Sequence, residues 1–158
     1  MRTVLYPGTF DPIHNGHLEI IETASRLFDK VTVAAIGNSQ KGDPLFDFEV
    51  REAMILESTA HLGNVEVSPL TSLVVDLATE IGADVIVKGL RAVSDFESEM
   101  HQAHMNRKIS GVDTLFIPSA TEHSFVASKL LREIARFGGD VTEMVPAPVA
   151  KRLRETFG

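Results

Sequence analysis

The chain has 158 residues, 44% of them hydrophobic and 23% charged, an ordinary balance for a soluble globular protein with room for a sizeable core. It has no cysteine, which excludes disulfides and thiolate metal sites, and a formal net charge of -7, which argues against broad nucleic-acid binding. The opening MRTVLYPGTF has no long apolar core, and no uncharged apolar run approaches the roughly 18 residues of a membrane span, so a cytoplasmic protein without membrane or nucleic-acid partners is expected.

The first predicted strand is TVLY (3–6), which runs into YPGTFDPIHNGH (6–17) and then into a helical pattern, GHLEIIETASRLFDK, with Leu18, Ile21, Ala24 and Phe28 on one stripe. KVTVAAIG (30–37) is the second strand. A loop marked by Gly and Pro, GNSQKGDPLF, follows it and carries Lys41. DFEVREAMILESTAHLG predicts a helix with Asp47 as its N-cap and Gly63 as its stop. NVEVSPL (64–70) is the third strand, and SLVVDLATEIG a third helix in which Val74, taken alone, reads as a core residue. ADVIVKG (83–89) ends on Lys88 and Gly89, and Leu90 and Arg91 follow directly.

The pattern SDFESEMHQAHMNRKISG predicts a helix beginning near Ser94 that carries Glu99. His101 and His104 are three apart on it, but one such pair lacks partners, and a solvated or interface role is favoured over zinc. VDTLFIP (112–118) is the fifth strand. HSFVASK (123–129) then leads into the helix LLREIARF, for which Ser124 or Ser128 could serve as cap. The last helix, APVAKRLRETF, holds Pro148 where a first turn tolerates it. Near-continuous apolar strands alternating with amphipathic helices imply an α/β fold: a doubly wound parallel sheet with right-handed crossovers, covered on both faces. No repeat or linker breaks the pattern, so residues 1–158 are expected to form a single domain, with ligands at the C-terminal ends of the strands.

The segment 6–17 lies in such a place. Pro7 and Gly8 turn the chain, Thr9 adds a hydroxyl, and the unpaired N–H groups at the start of the next helix suit a phosphate. His14 and His17, three apart, share one side of the first turn, and Gly16 lets a ligand approach the backbone. Neither the dinucleotide fingerprint nor the G-x-x-x-x-G-K-[ST] loop is present. The sequence offers many donors and no Ser–His–Asp arrangement.

YPGTFDPIHNGH, KGLRAVSDFESEMHQAHMN (88–106) and SFVASKLLREIARFGGDVTEMVP (124–146), in that order, resemble the hallmark segments of the bacterial phosphopantetheine adenylyltransferase family within the H-x-G-H nucleotidyltransferase superfamily. The resemblance covers nearly the whole chain. It implies a Rossmann-like nucleotidyltransferase fold and adenylyl transfer from ATP to 4′-phosphopantetheine, giving dephospho-coenzyme A and pyrophosphate in the penultimate step of coenzyme A synthesis. It also implies Mg²⁺, carried on ATP with few protein ligands, and a homohexamer. Three residues take catalytic roles by the same resemblance: His17 stabilises the transition state, Lys41 orients the reacting phosphates and Arg91 reaches the ATP phosphates.

Thr9 would touch both ATP and the acceptor phosphate, and Phe10 would meet ATP through its backbone. Gly89, Leu90 and Glu99 match further ATP contacts. So does the run His123, Ser124, Phe125, Val126, Ala127, Ser128 and Lys129, whose N–H groups would hold the outer phosphates. Val74 and Lys88 match contacts to the acceptor. The chain departs from the family at His14 (often Thr), Ser98 (often Tyr), His123 (Trp or Tyr), Ala127 (Ser) and Lys129 (Ser or Thr). His14 is left as a further phosphate donor or a scaffold. Sister transferases and a non-catalytic nucleotide sensor are the competing readings. KGLRAVSDFE at its spacing argues against the first, and Thr9, His17, Lys41 and Arg91 against the second.

Overall fold

The apolar run nearest the N-terminus becomes the middle of the sheet. The structure is a computed structural model that describes residues 1–37, 42–92 and 94–158. In it β1 (Thr3–Gly8) lies between β2 (Lys30–Ile36) and β4 (Val85–Leu90), with β3 (Val65–Leu70) and β5 (Asp113–Pro118) at the edges. All pairings are parallel and the order is β3-β2-β1-β4-β5. Tyr6 stands beside Val33 and Leu5 beside Ile86. The expected α/β architecture is therefore present, and the strand order reverses between β1 and β4, the place where such sheets bind ligands.

Alternation along the strands divides the core in two. Val4 and Tyr6 of β1, with Val31, Val33 and Ala35 of β2, pack on one face against α1 (Asn15–Leu27), α2 (Phe48–Ser58), α5 (Ser128–Arg136) and α6 (Ala147–Phe157). Leu5, Ala34 and Ile86 point the other way, onto Val75, Leu77 and Ala78 of α3 (Val74–Glu80). Pro148 sits in the first turn of α6, as expected.

Several expectations need correction. The stripe of α1 is Gly16, Ile20, Ile21 and Ala24; Leu18 and Phe28 are only partly buried. Asp47 does occupy the N-cap of α2, but its side chain makes no capping bond. That helix stops at Ser58, short of Gly63, because Thr59 turns back on it with both its N–H and its hydroxyl donating to the Ile55 carbonyl. The helix α4 (Phe96–Ser110) begins later than Ser94, since Asp95 caps it by accepting from the Ser98 N–H at 3.0 Å.

Coverage of both sheet faces holds for β1 and β2 but not for β5, where alternate residues are exposed. The neighbouring α4 has no buried residue at all. Core packing sets a measurable contrast. Ile21→Ala should destabilise the fold by about 2–5 kcal/mol in urea unfolding, whereas Leu27→Ala, at an exposed position of the same helix, should change it by less than about 0.5 kcal/mol.

Candidate active site

A cavity of about 650 Å³ opens at the C-terminal ends of β1 and β4. Its walls come from the segment Tyr6 to Asp11, from Gly42, Asp43 and Pro44 ahead of α2, and from Lys88, Gly89 and Arg91 after β4. Two helices aim their N-termini at it: Gly16 and His17 from α1, Ser128 and Lys129 from α5. Both bring backbone N–H groups and the positive end of a helix dipole to one space.

The start of α1 is built by its own histidines. His14 is the N-cap: its Nδ1 accepts from the Gly16 N–H at 3.0 Å and the His17 N–H at 3.3 Å. His17 returns the bond, its Nδ1 accepting from the His14 N–H at 3.1 Å. This is a capping box in which two imidazoles take the places of Ser/Thr and Glu. The rings stack with centroids 3.7 Å apart, and Phe10 meets the His17 ring edge-on at 4.8 Å. Because Nδ1 of His17 is spent as an acceptor, its neutral ring carries the proton on Nε2. Among the described residues that N–H has no partner, and His17 lines the cavity.

The predicted residues separate into groups. Thr9, Phe10, His17, Lys88, Gly89, Arg91, Glu99, Ser128 and Lys129 all line the cavity. Phe10 buries its ring and holds a φ of 51°, a strained value for a non-glycine residue, so it offers backbone to the cavity. His14 is fully buried and is scaffold. Gly16 and Gly89 owe their lack of a Cβ to packing as much as to ligand approach. A Cβ on Gly16 would meet the His14 ring at 2.9 Å, and one on Gly89 would meet Ile20 at 3.1 Å.

Leu90 uses its carbonyl to accept from the Ser119 N–H at 2.9 Å and does not line the cavity. Nor do His123, Ser124, Phe125, Val126 and Ala127. Val126 is in the core, Phe125 is exposed, and His123 pairs through Nδ1 with Glu19 at 2.7 Å. Neither serine caps α5: the N-cap is Ala127, Ser124 donates to the Thr121 carbonyl, and Ser128 donates to the Pro12 carbonyl at 2.9 Å. Lys41 lies outside the described residues.

Arg91 leans inward, with Nη1 donating to the Val126 carbonyl and standing 2.9 Å from Nε2 of His14. A neutral imidazole has one acceptor nitrogen, and Nδ1 of His14 already holds the cap. The Arg91 contact and the cap therefore compete for one acceptor nitrogen, and the Val126 carbonyl is the acceptor that Arg91 keeps. Lys88 Nζ stands 3.5 Å from Oε2 of Glu99, an ion pair without a good hydrogen bond, and that oxygen is otherwise unpartnered. Lys88 and Ile36 also line a second, smaller cavity with Val74. Val74, Gln102 and Asn106 in turn line a third, of about 440 Å³. Neighbouring cavities thus share walls: Lys88 and Glu99 between the first and second, Val74, Gln102 and Asn106 between the second and third.

Sequence reading missed Tyr6, Asp11 and Ser94. Asp11 was hidden because an Asp before Pro reads as a turn residue. His101 and His104 are exposed, and among the described residues no group of three or more His, Cys, Asp or Glu is placed to hold a metal.

Comparison with known proteins agrees with this geometry. The cytidylyltransferase-like family matches residues 5–134. Two phosphopantetheine adenylyltransferases from Synechococcus strains are 53% and 54% identical over 154 residues, spanning 97% of this chain and 96% of each relative. One from Prochlorococcus marinus is 45% identical over 155 residues and 98% of both chains. Among solved structures, a proposed nicotinate-nucleotide adenylyltransferase from Vibrio parahaemolyticus superposes with a TM-score of 0.72 over 99% of this chain and 93% of its own, at 20% identity. At that identity the likeness speaks to the fold alone.

Electrostatics keeps both imidazoles neutral. Burial, then the charges of Arg91 and His123, pushes His14 down to about 3. Burial, followed by His14, Arg91 and Lys88, holds His17 well below the ordinary histidine range. In the unfolded chain these rings titrate near 6.5, so at lower pH the unfolded state binds protons that the folded state refuses. Their contribution to stability is complete above pH 6.5 and falls as pH drops toward the folded value, by about 2 kcal/mol for His14 alone at about pH 5. His14→Thr, which keeps an N-cap oxygen, should flatten the fall in urea midpoint between about pH 7 and pH 5 by roughly one proton's worth.

Proposed function

The chain belongs to the phosphopantetheine adenylyltransferases within the cytidylyltransferase-like family, and from that premise we propose that it transfers the adenylyl group of ATP to 4′-phosphopantetheine, releasing dephospho-coenzyme A and pyrophosphate. One observation carries the reading: a neutral His17, its tautomer set by the cap of α1, keeps an unpartnered Nε2–H beside a cavity ringed by Lys88, Arg91, Lys129 and Arg132.

The chemistry needs no protein nucleophile. The acceptor's phosphate is ionised at neutral pH, and one of its oxygens attacks the α-phosphorus in line while the bond to the bridging oxygen of the β-phosphate breaks. Pyrophosphate leaves with that electron pair. Negative charge builds on the non-bridging oxygens of the α-phosphorus, where the Nε2–H of His17 donates without giving up its proton. Arg91 leaves His14 and takes a phosphate oxygen. The N-terminus of α5, with Ser128 and Lys129, receives the outer phosphates.

Thr9 and Lys88 hold the acceptor phosphate, and Val74, facing the second and third cavities, lines the way for the acceptor's extended arm. Glu99, paired with Lys88, keeps the ammonium from folding away and joins the ATP contacts. Lys41 is assigned to the reacting phosphates on the resemblance alone.

Mg²⁺ is proposed to come with the triphosphate. Asp11 is spent on backbone N–H groups, and the remaining carboxylates of the cavity, Asp43 and Glu99, come from separate elements, which fits a cation that keeps most of its waters. Bound there, the metal would neutralise charge on the phosphates. Residues 1–158 are proposed to act as one domain, in the cytoplasm, as a homohexamer. The last point is supported by the uncovered face of α4 and β5, where Phe96, Met105, Ile109 and Leu115 are exposed. Sedimentation should report six copies, and Ile109→Lys should break them into smaller species; a monomeric wild type would contradict the assembly.

Pyrophosphate release from ATP with 4′-phosphopantetheine tests the reaction. His17→Ala should lower kcat by about 10²–10³-fold with the fold intact, the loss seen when one preorganised oxyanion donor is removed. Unchanged turnover in that variant, or wild-type binding of ATP with no release of pyrophosphate, would contradict the proposal.

A further inference from the structure

Two charged side chains, Asp11 in the wall of the cavity and Arg51 outside its lining, carry no step of the reaction just described. Asp11 is 3% exposed and Arg51, on α2, 1%. Charges buried to this degree are costly unless every group on them is satisfied, so their partners disclose what they are for. Their own hydrogen bonds all go to main chain, nearly all of it in segments that wall the cavity, and the one side-chain partner is Arg132, whose Nη1 stands 3.7 Å from Oδ2 of Asp11. Arg51 Nη1 donates to the carbonyls of Thr9 at 2.8 Å and Ile36 at 2.7 Å, while its Nε donates to that of Phe46 at 3.0 Å. Oδ2 of Asp11 accepts from the Leu45 N–H at 2.7 Å, and Oδ1 from the Phe46 N–H at 3.0 Å.

Phe46 is thus gripped from both sides, its N–H by Asp11 and its carbonyl by Arg51. From α5, Arg132 Nη1 donates to the Asp11 carbonyl at 2.7 Å. The end of β1, the end of β2 and the segment entering α2 are held together by two charges that form no ion pair with each other. A lysine at 51 could not reproduce this, because one ammonium nitrogen cannot stand where both Nε and Nη1 stand.

We propose that Asp11 and Arg51 are positioning residues of the reaction. They fix the distance across the cavity between the Thr9 backbone and the Gly42–Pro44 segment, and so the separation of the two phosphates that must meet. What is bound there rests on the reading in the preceding subsection; the latch itself does not. A purely structural pair would change stability alone. A positioning pair also changes turnover in the folded protein, since a displacement near 1 Å is enough to cost about 10²-fold.

The test uses Asp11→Asn and Arg51→Lys at temperatures where unfolding curves show each fully folded. The latch predicts kcat down by about 30-fold or more in each, KM for both substrates within about threefold, and a double variant little worse than the worse single one. Turnover near wild type in folded variants would overturn it. Should either fail to fold, Asp11→Glu keeps both oxygens and moves them by one methylene. Lower kcat at near-normal melting temperature supports the latch, and unchanged kcat overturns it.

If wild type turns over no 4′-phosphopantetheine, the functional reading fails separately. Amide exchange at Leu45 and Phe46 then decides the latch. In Asp11→Asn it should quicken by about tenfold or more at those two amides while β1 and β2 stay protected. Wild-type exchange there would overturn the latch.

Discussion

The reciprocal bonds between His14 and His17 are what the rest of this molecule leans on. They close the first turn of α1, and in doing so they decide which nitrogen of His17 bears the proton. A serine in place of His14 could cap the helix and keep the backbone N–H that His17 accepts from, but a glutamate in place of His17, though it could complete the box, would leave no neutral N–H donor at the mouth of a cation-lined cavity. Gly16 belongs to the same device, because the His14 ring occupies the space a Cβ would need. Capping and catalysis are here one arrangement, set by four consecutive residues at the end of the central strand's loop.

Around that point the fold supplies charge and distance. The topology brings β1 and β4 side by side, so Thr9 and Lys88, far apart in sequence, share one cavity. The amino end of α5 arrives from the far end of the chain and is tied down by Ser128 on Pro12 and Arg132 on Asp11. Arg51 and Asp11 hold the strand ends by their main chain. The surface charge of the protein is net negative, yet the cations converge where a triphosphate would lie. Local placement matters more than net charge for a small anionic ligand.

Much of this was legible in the sequence. The five strands and six α-helices of the described residues follow from apolar periodicity, and the site from an H-x-G-H placed in the first strand-to-helix turn. What escaped did so for physical reasons. The end of α2 escaped because Thr59 closes the helix with its hydroxyl, which no periodicity reveals. The caps of α5 escaped because Ser124 and Ser128 spend their hydroxyls on carbonyls of other segments. The uncovered faces of α4 and β5 carry apolar residues that look like core in one dimension and stand exposed in three. Nothing in the periodicity of α2 marks Arg51, which the folded chain encloses almost wholly.

The account turns on the protonation of a single ring, and nitrogen NMR of the ¹⁵N-histidine-labelled protein reads it directly. Nε2 of His17 should show the shift of a protonated pyrrole-type nitrogen and Nδ1 that of an unprotonated acceptor, unchanged from about pH 8 to about pH 5.5. A ring protonated on Nδ1, or one that titrates near the ordinary histidine value, would contradict the account at its base.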